Sequence, residues 1–333
     1  MDRTTAEKEW LRRISGGKSA VPQRKPTSDQ TSDQSSSKPR PKPQPTAKKH
    51  GNGFGDIAGM EDLKQRVKEG FINVLQHRDL ADAYGIRPPS MLFYGPAGCG
   101  KTFFAEKMAE EVGIHFIKVV PDDLASTMVH GTQEKIGEVF KNAERHAPAL
   151  LFFDEFDAMV PRRTGNEYNQ HYDSEVNEFL CMLNHASDKG VYVLAATNHP
   201  ERIDKAVLRT GRIDELVYVD MPDHEARKSL FALELAKLPR EEDIDMDRLA
   251  HLTQGFNCSD INYIVKSAAR KKFNEAIGCG EHTLQNITQK QLEEIISGRS
   301  PSVSSRDLRE YQCVHREFSP KDKGGQPASI GFR

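Results

Sequence analysis

Residues Gly95 to Thr102 read Gly-Pro-Ala-Gly-Cys-Gly-Lys-Thr and fit the spacing G-x-x-x-x-G-K-[ST] of a phosphate-binding loop. Each residue type has a task there. Gly95, Gly98 and Gly100 permit positive φ and close backbone approach, so successive N–H groups can wrap a phosphate. A helix opening at the same spot adds the partial positive charge of its N-terminus. Lys101 can neutralise the outer phosphates of a nucleotide, and the Thr102 hydroxyl can ligate Mg²⁺. Gly95, Pro96, Ala97, Gly98, Cys99, Gly100, Lys101, Thr102 and Phe103 are therefore the candidate nucleotide contacts. Further on, Leu150-Leu151-Phe152-Phe153-Asp154-Glu155 carries two carboxylates on the end of an apolar run. Asp154 would hold Mg²⁺ through water, and Glu155 would orient and polarise an attacking water as general base. The second acid tilts the nucleotide towards ATP.

Two more groups extend this chemistry. Ala195-Ala196-Thr197-Asn198 ends another apolar run with an amide. Asn198 can hydrogen-bond a terminal phosphate or the lytic water; alone, an Asn in this position is common in turns. Arg209-Thr210-Gly211-Arg212 follows the last nucleotide-contacting strand, poorly placed for the same chain's phosphates but able to meet a neighbour's. A guanidinium supplied in trans stabilises charge developing on the transferred phosphoryl group. Surface salt bridges are the plainer alternative. Cys99 has two readings as well. It is a tolerated small side chain, or a thiol activated by Lys101 and the helix N-terminus whose alkylation would block nucleotide binding.

The elements that must position these groups alternate. Strands are expected over Met91–Tyr94, His115–Val120, Ala149–Phe153, Val191–Ala196 and Leu216–Val219. Helices are expected over Met60–Leu75, Phe103–Val112, Thr132–Arg145 and Asp173–Asn184, each with apolar residues at helical spacing. Ala149–Phe153 is apolar throughout, as a strand buried on both faces must be. Such alternation calls for an α/β fold, a parallel sheet sandwiched by helices. After Pro222 only helical patterns remain, at Glu225–Leu235, Met246–Thr253, Ser259–Ile277 and Thr288–Ile296. The expected organisation is a tail over 1–52, a nucleotide-binding domain over 53–222, an all-helical lid over 223–300, and a C-terminal helix (Ser305–Phe318) within 301–333.

Composition sets outer limits. The chain has 333 residues, is 37% hydrophobic and carries a net charge of −2, enough for about two packed domains and without the positive field of a nucleic-acid binder. Cys99, Cys181, Cys258, Cys279 and Cys313 are odd in number and lack Cys-x-x-Cys spacing, which favours free thiols in a reducing compartment. Cys279 and His282 alone make too few ligands for a metal site. No apolar run approaches a membrane span and no signal-peptide core is present, so a cytoplasmic location is expected.

At the N-terminus, Thr4 can cap a short helix to Ile14, with Glu7 as its partner and Trp10, Leu11 and Ile14 on one side. It is either a docking motif for a partner or adaptor, or a frayed end. Ser15–His50 is basic and rich in Ser and Pro. It reads as a disordered, solvated linker before it reads as a nucleic-acid contact.

Together, Gly95–Thr102, Leu150–Glu155, Thr197–Asn198 and Arg209–Arg212 resemble the AAA ATPases, over roughly residues 53–318. The segment Asp204–Asp214 is similar to that family's second region of homology, and Ser302–Phe318 resembles the C-terminal helix of its katanin/spastin-like clade. The resemblance implies hexameric rings that hydrolyse ATP at subunit interfaces and pull a polypeptide client through a central pore. It implies that Asp56, Ile57 and Ala58 border the adenine, and that Cys258 and Ser259 stand where relatives carry glycine and alanine. Thr127–Gly131 departs from the pattern. Met128, Val129 and His130 occupy the pore-loop position, where an aromatic residue is usual. Tyr168, His171 and Tyr172 could form a second pore loop. The implied function is an ATP-driven, ring-forming protein remodeller. The alternative is an ATP-switched scaffold or loader that assembles a complex, on nucleic acid in one version, without threading a polypeptide.

Overall fold

A computed structural model describes residues 51–125, 131–162, 179–209, 211–278 and 284–318. Outside them fall residues 1–50, Met128, Val129, His130, Tyr168, His171, Tyr172, Thr210, Cys279 and His282, together with the whole tail over 319–333.

Five parallel strands form one sheet: β1 (Met91–Tyr94), β2 (His115–Val119), β3 (Ala149–Phe153), β4 (Val191–Thr197) and β5 (Glu215–Tyr218). Their spatial order is β2-β3-β4-β1-β5. The three central strands are buried along their whole length. Alternate residues supply opposite faces, as pleating requires. Phe93, Leu150, Phe152 and Leu194 join Phe104 and Met108 in one apolar cluster. Leu92, Leu151, Phe153 and Val193 join Phe140, Phe156 and Phe179 in the other. Burying one such phenylalanine stabilises the fold by roughly 1.5–3 kcal/mol. Register then fixes the site: Phe153 pairs with Ala195, and Tyr94 pairs with Thr197. The ends of β3, β4 and β1 thus lie side by side.

The helices differ from expectation mainly at their ends. The helix after the phosphate-binding loop begins at Lys101, because Gly100 at φ 89° is its cap. The expected Met60–Leu75 helix starts at Glu61 and is interrupted by one wider turn, Lys68–Ile72, before Asn73–Gln76. That turn contains Gly70, whose missing side chain leaves the backbone free to widen. Of the expected Asp173–Asn184 helix, the described part runs over 179–186. Arg78–Ala83, Pro121–Leu124 and Phe156–Met159 are helices too short to leave a readable period.

Beyond the sheet follow helices His224–Leu235, Met246–Leu252, Cys258–Gly278 and Gln289–Ser297. All four have side-chain caps: Asp223 accepts from Ala226 N, Asp245 from Arg248 N, Asn257 from Asp260 N and Thr288 from Gln291 N. They enclose a separate core of Phe231, Leu235, Leu249, Ile261, Ile264 and Leu292. Ser305–Phe318 is a final helix. Among the described residues no helix is long and apolar enough to cross a membrane.

Candidate active site

Chain order puts the phosphate-binding loop after β1, the acidic pair after β3 and Asn198 after β4, and the strand order brings the three together. Thr102 Oγ1 donates to Asp154 Oδ2 at 3.1 Å. Lys118, from the end of β2, sets its ammonium 2.8 Å from the same oxygen. The other carboxylate oxygen, Oδ1, accepts from the Glu155 N–H at 3.1 Å. Glu155 itself sits at φ 51°, ψ 46°. That left-handed conformation costs a residue with a Cβ roughly 1–2 kcal/mol, and such strain gathers at functional sites. It turns the chain sharply off β3 and leaves the carboxylate exposed while Phe153 and Phe156 on either side are buried.

The loop itself requires glycine at two positions. A Cβ on Gly95, at φ 146°, would lie 2.2 Å from Val219 O, and one on Gly98 would lie 2.5 Å from Asn257 Nδ2. Lys101 is only 8% exposed. Its Nζ donates to Gly95 O at 2.9 Å and Pro96 O at 2.8 Å. Burial pushes its pKa down to about 8. A buried ammonium held by two neutral carbonyls lacks a full counter-charge, and a phosphate would supply one. The Thr102 hydroxyl and Asp154 carboxylate are hard oxygen donors that suit hydrated Mg²⁺. Lys118 does not bar the ion. Its side chain is 42% exposed, and so exposed an ion pair is weak.

Cys99 departs from its activated reading. The side chain is fully buried, with Sγ 3.5 Å from Met221 Sδ. Burial pushes its thiol up to about 12, outweighing the opposite pull of Lys101. Little thiolate exists near neutral pH, so the small-side-chain reading stands.

Asp56, Ile57, Ala58, Gly98, Cys99, Gly100, Phe103, Cys258 and Ser259 do come together, around a cleft of about 190 Å³. The Asp56 carboxylate is already engaged, by Lys107 at 2.9 Å and Asn52 Nδ2 at 3.0 Å. These bonds hold it below the usual carboxylate range.

Asn198 is placed by its neighbours. Thr197 Oγ1 donates to Asp157 Oδ1 at 2.5 Å and accepts from His199 N at 2.8 Å. This pins the turn at the end of β4 to the helix that follows Glu155. Arg212 donates from Nη1 to Ala206 O at 2.6 Å, while Arg209 is exposed. Among the described residues, neither guanidinium has a carboxylate partner or a hydrogen bond to the loop or the acidic pair.

Several further contacts steady the site and were not read from the sequence. Asn257 Nδ2 donates to Ala97 O and Ser259 N to Gly98 O, each at 3.1 Å, so the helical region holds the loop's backbone. Asn257 Oδ1 in turn accepts from Asp260 N at 2.7 Å, and Asp260 Oδ2 accepts from Asn257 N at 3.3 Å. This reciprocal cap could have been found from the spacing Asn257-x-x-Asp260. Buried Asp260 also accepts from Arg299 Nη2 at 2.8 Å and Ser302 N at 3.0 Å. Finally, His315 of the last helix stacks on Tyr218, with ring centres 4.3 Å apart, and places Nδ1 2.8 Å from Tyr94 OH. Burial pushes that phenol up to about 12. It therefore stays protonated at neutral pH.

Residues 91–221 match the model of the ATPase family associated with various cellular activities (AAA). Over 273 residues the chain is 33% identical to a cell division cycle protein 48 homolog of Archaeoglobus fulgidus, covering 79% of this chain and 37% of that protein. Over 261 residues it is 33% identical to a candidate cell division cycle ATPase of Plasmodium falciparum, covering 78% of this chain and 21% of that protein. The chain therefore spans well under half the length of either relative. The matched model covers all of β1 to β5 with the loop and acidic pair between them, and the relatedness extends well beyond it. This chain belongs to the AAA family of ATPases.

Proposed function

We propose that the chain is an ATP-hydrolysing subunit of a ring-shaped, protein-remodelling motor with active sites shared between subunits. The observation that carries this reading is the meeting of Lys101, Thr102, Asp154 and Glu155 at neighbouring strand ends. In it, the loop amides and Lys101 bind the phosphates, while Thr102 and water-mediated Asp154 hold Mg²⁺, which neutralises charge on the phosphates. Glu155 takes the proton from the attacking water, and Asn198 orients that water or the terminal phosphate. Arg209 and Arg212 act on a neighbour's site, consistent with guanidinium groups that have no carboxylate partner among the described residues. Residues 53–222 serve as the nucleotide-binding domain, 223–300 as a lid and 301–333 as a clade-type C-terminal helix with a tail. A hexamer, a cytoplasmic site of action, client or adaptor recruitment by residues 1–50, and substrate grip by Met128, Val129 and His130 complete the proposal.

Lys101 gives this reading a pH signature. Its free pKa is about 8, and a phosphate alongside favours the charged form, so binding raises that pKa. At pH 8 ATP binding is expected to take up roughly half a proton per site, falling towards none at pH 6.5. Affinity should correspondingly weaken as pH rises above 8. Titration calorimetry in buffers of different ionisation enthalpy reads the uptake directly; zero uptake at pH 8 would contradict the assignment.

The function as a whole is tested by steady-state ATPase rate against protein concentration. A specific activity that rises with concentration is expected of shared sites. A rate that stays flat, with ATP-dependent assembly but no client processing, would favour the scaffold or loader.

A further inference from the structure

The cleft beside the phosphate-binding loop contains a polar side chain to which the fold assigns no task. Most of its polar lining is accounted for. The Asp56 carboxylate is taken by Lys107 and Asn52, and the Ser259 N–H by Gly98 O. Glu234 pairs with Lys237 at 3.4 Å. Asn262 is different. It lines the same cleft one helical turn beyond Cys258, yet its Oδ1 is cut off from solvent and has no hydrogen-bond partner among the described residues. Burying a carbonyl oxygen unpaired costs stability, and native proteins seldom do so without a reason. The last torsion of an amide is broad, so this oxygen can turn to the cleft at small cost.

We propose that Asn262 reads the base of the bound nucleotide and selects adenine. An amide offers an acceptor and a donor side by side. Adenine presents the complement, a 6-amino donor next to a ring-nitrogen acceptor, whereas guanine presents two acceptors at the corresponding edge. Asn262 Oδ1 accepts from the 6-amino group and Nδ2 donates to the adjacent ring nitrogen. Apolar Ile57 and Leu230 on the same cleft give the ring its faces. This rests on the nucleotide-binding reading above and adds to it a residue that reads the base.

The test is calorimetric affinity for ATP, GTP and purine riboside triphosphate, which is ATP without its 6-amino group. It uses the full chain as wild type, Asn262→Leu and Asn262→Asp. Wild type is expected to bind the analogue lacking the amine about 5- to 150-fold more weakly than ATP. In Asn262→Leu, of similar size but without the amide, that ratio should collapse towards one. Asn262→Asp keeps the acceptor and should retain part of it. An unchanged ratio in the variants overturns the proposal. So does a wild type that binds both nucleotides equally, and this outcome does not depend on any variant folding. A wild type that binds no nucleotide at all would instead overturn the nucleotide reading itself, and this inference with it.

Discussion

Glu155→Gln is expected to bind ATP normally while losing about 10²- to 10⁴-fold in turnover, the usual contribution of a positioned general base. Glutamine preserves size and hydrogen bonding but cannot take a proton from water. The position favours a clean experiment. The side chain is exposed, its strained backbone is no harder for glutamine than for glutamate, and the N–H bond to Asp154 is retained. Phosphate release should fall with little change in thermal midpoint or ATP affinity. If the variant is trapped with ATP, its oligomer should outlive that of wild type in gel filtration. Turnover within threefold of wild type would remove Glu155 from the base role.

Arg212→Ala should be as severe for a different reason. Guanidinium groups supplied to a neighbour's transferred phosphate contribute about 10³- to 10⁵-fold where measured. In this chain the visible structural bond of Arg212 is to Ala206 O, at 2.6 Å. Losing one such bond costs about 1 kcal/mol, too little to unfold the domain, so a dead but folded variant would indict the chemistry. A mixing experiment separates neighbour from self. Inactive Arg212→Ala and inactive Glu155→Gln subunits, combined, should recover activity. An interface with Glu155 from the first and Arg212 from the second is intact. No recovery despite co-assembly would place the arginine's action within its own chain or outside catalysis.

How much of this was legible in the sequence depended on the range of the interactions. β1, β3 and β4 stood out because burial on both faces forces an unbroken apolar run, and their ends then located Gly95, Asp154 and Asn198. The contacts that steady the site are of another kind. Asn257 meets Ala97 across 160 residues, and His315 meets Tyr94 across 221. No local pattern encodes either pairing. Cys99 shows a local rule losing to a distant one. The adjacent lysine and helix start favour a thiolate, but packing that includes Met221, 122 residues on, shuts out the water needed to solvate it. Lys118 was missed because a polar residue on a strand ordinarily signals only a solvent-facing position.

The last helix has a consequence for how this molecule comes apart. Arg299 and Ser302 fasten the segment before it to Asp260, and His315 fastens its far end to Tyr94, the residue before Gly95. Together with Asn257 on Ala97, these contacts close a circuit from sheet to helical region and back to the sheet. Opening the helical core by itself would mean surrendering bonds at both ends of that circuit, which raises the free energy of partial opening towards that of global unfolding. The two cores, though separated in sequence, are therefore expected to unfold as one cooperative unit, so a single thermal transition should dissolve them together.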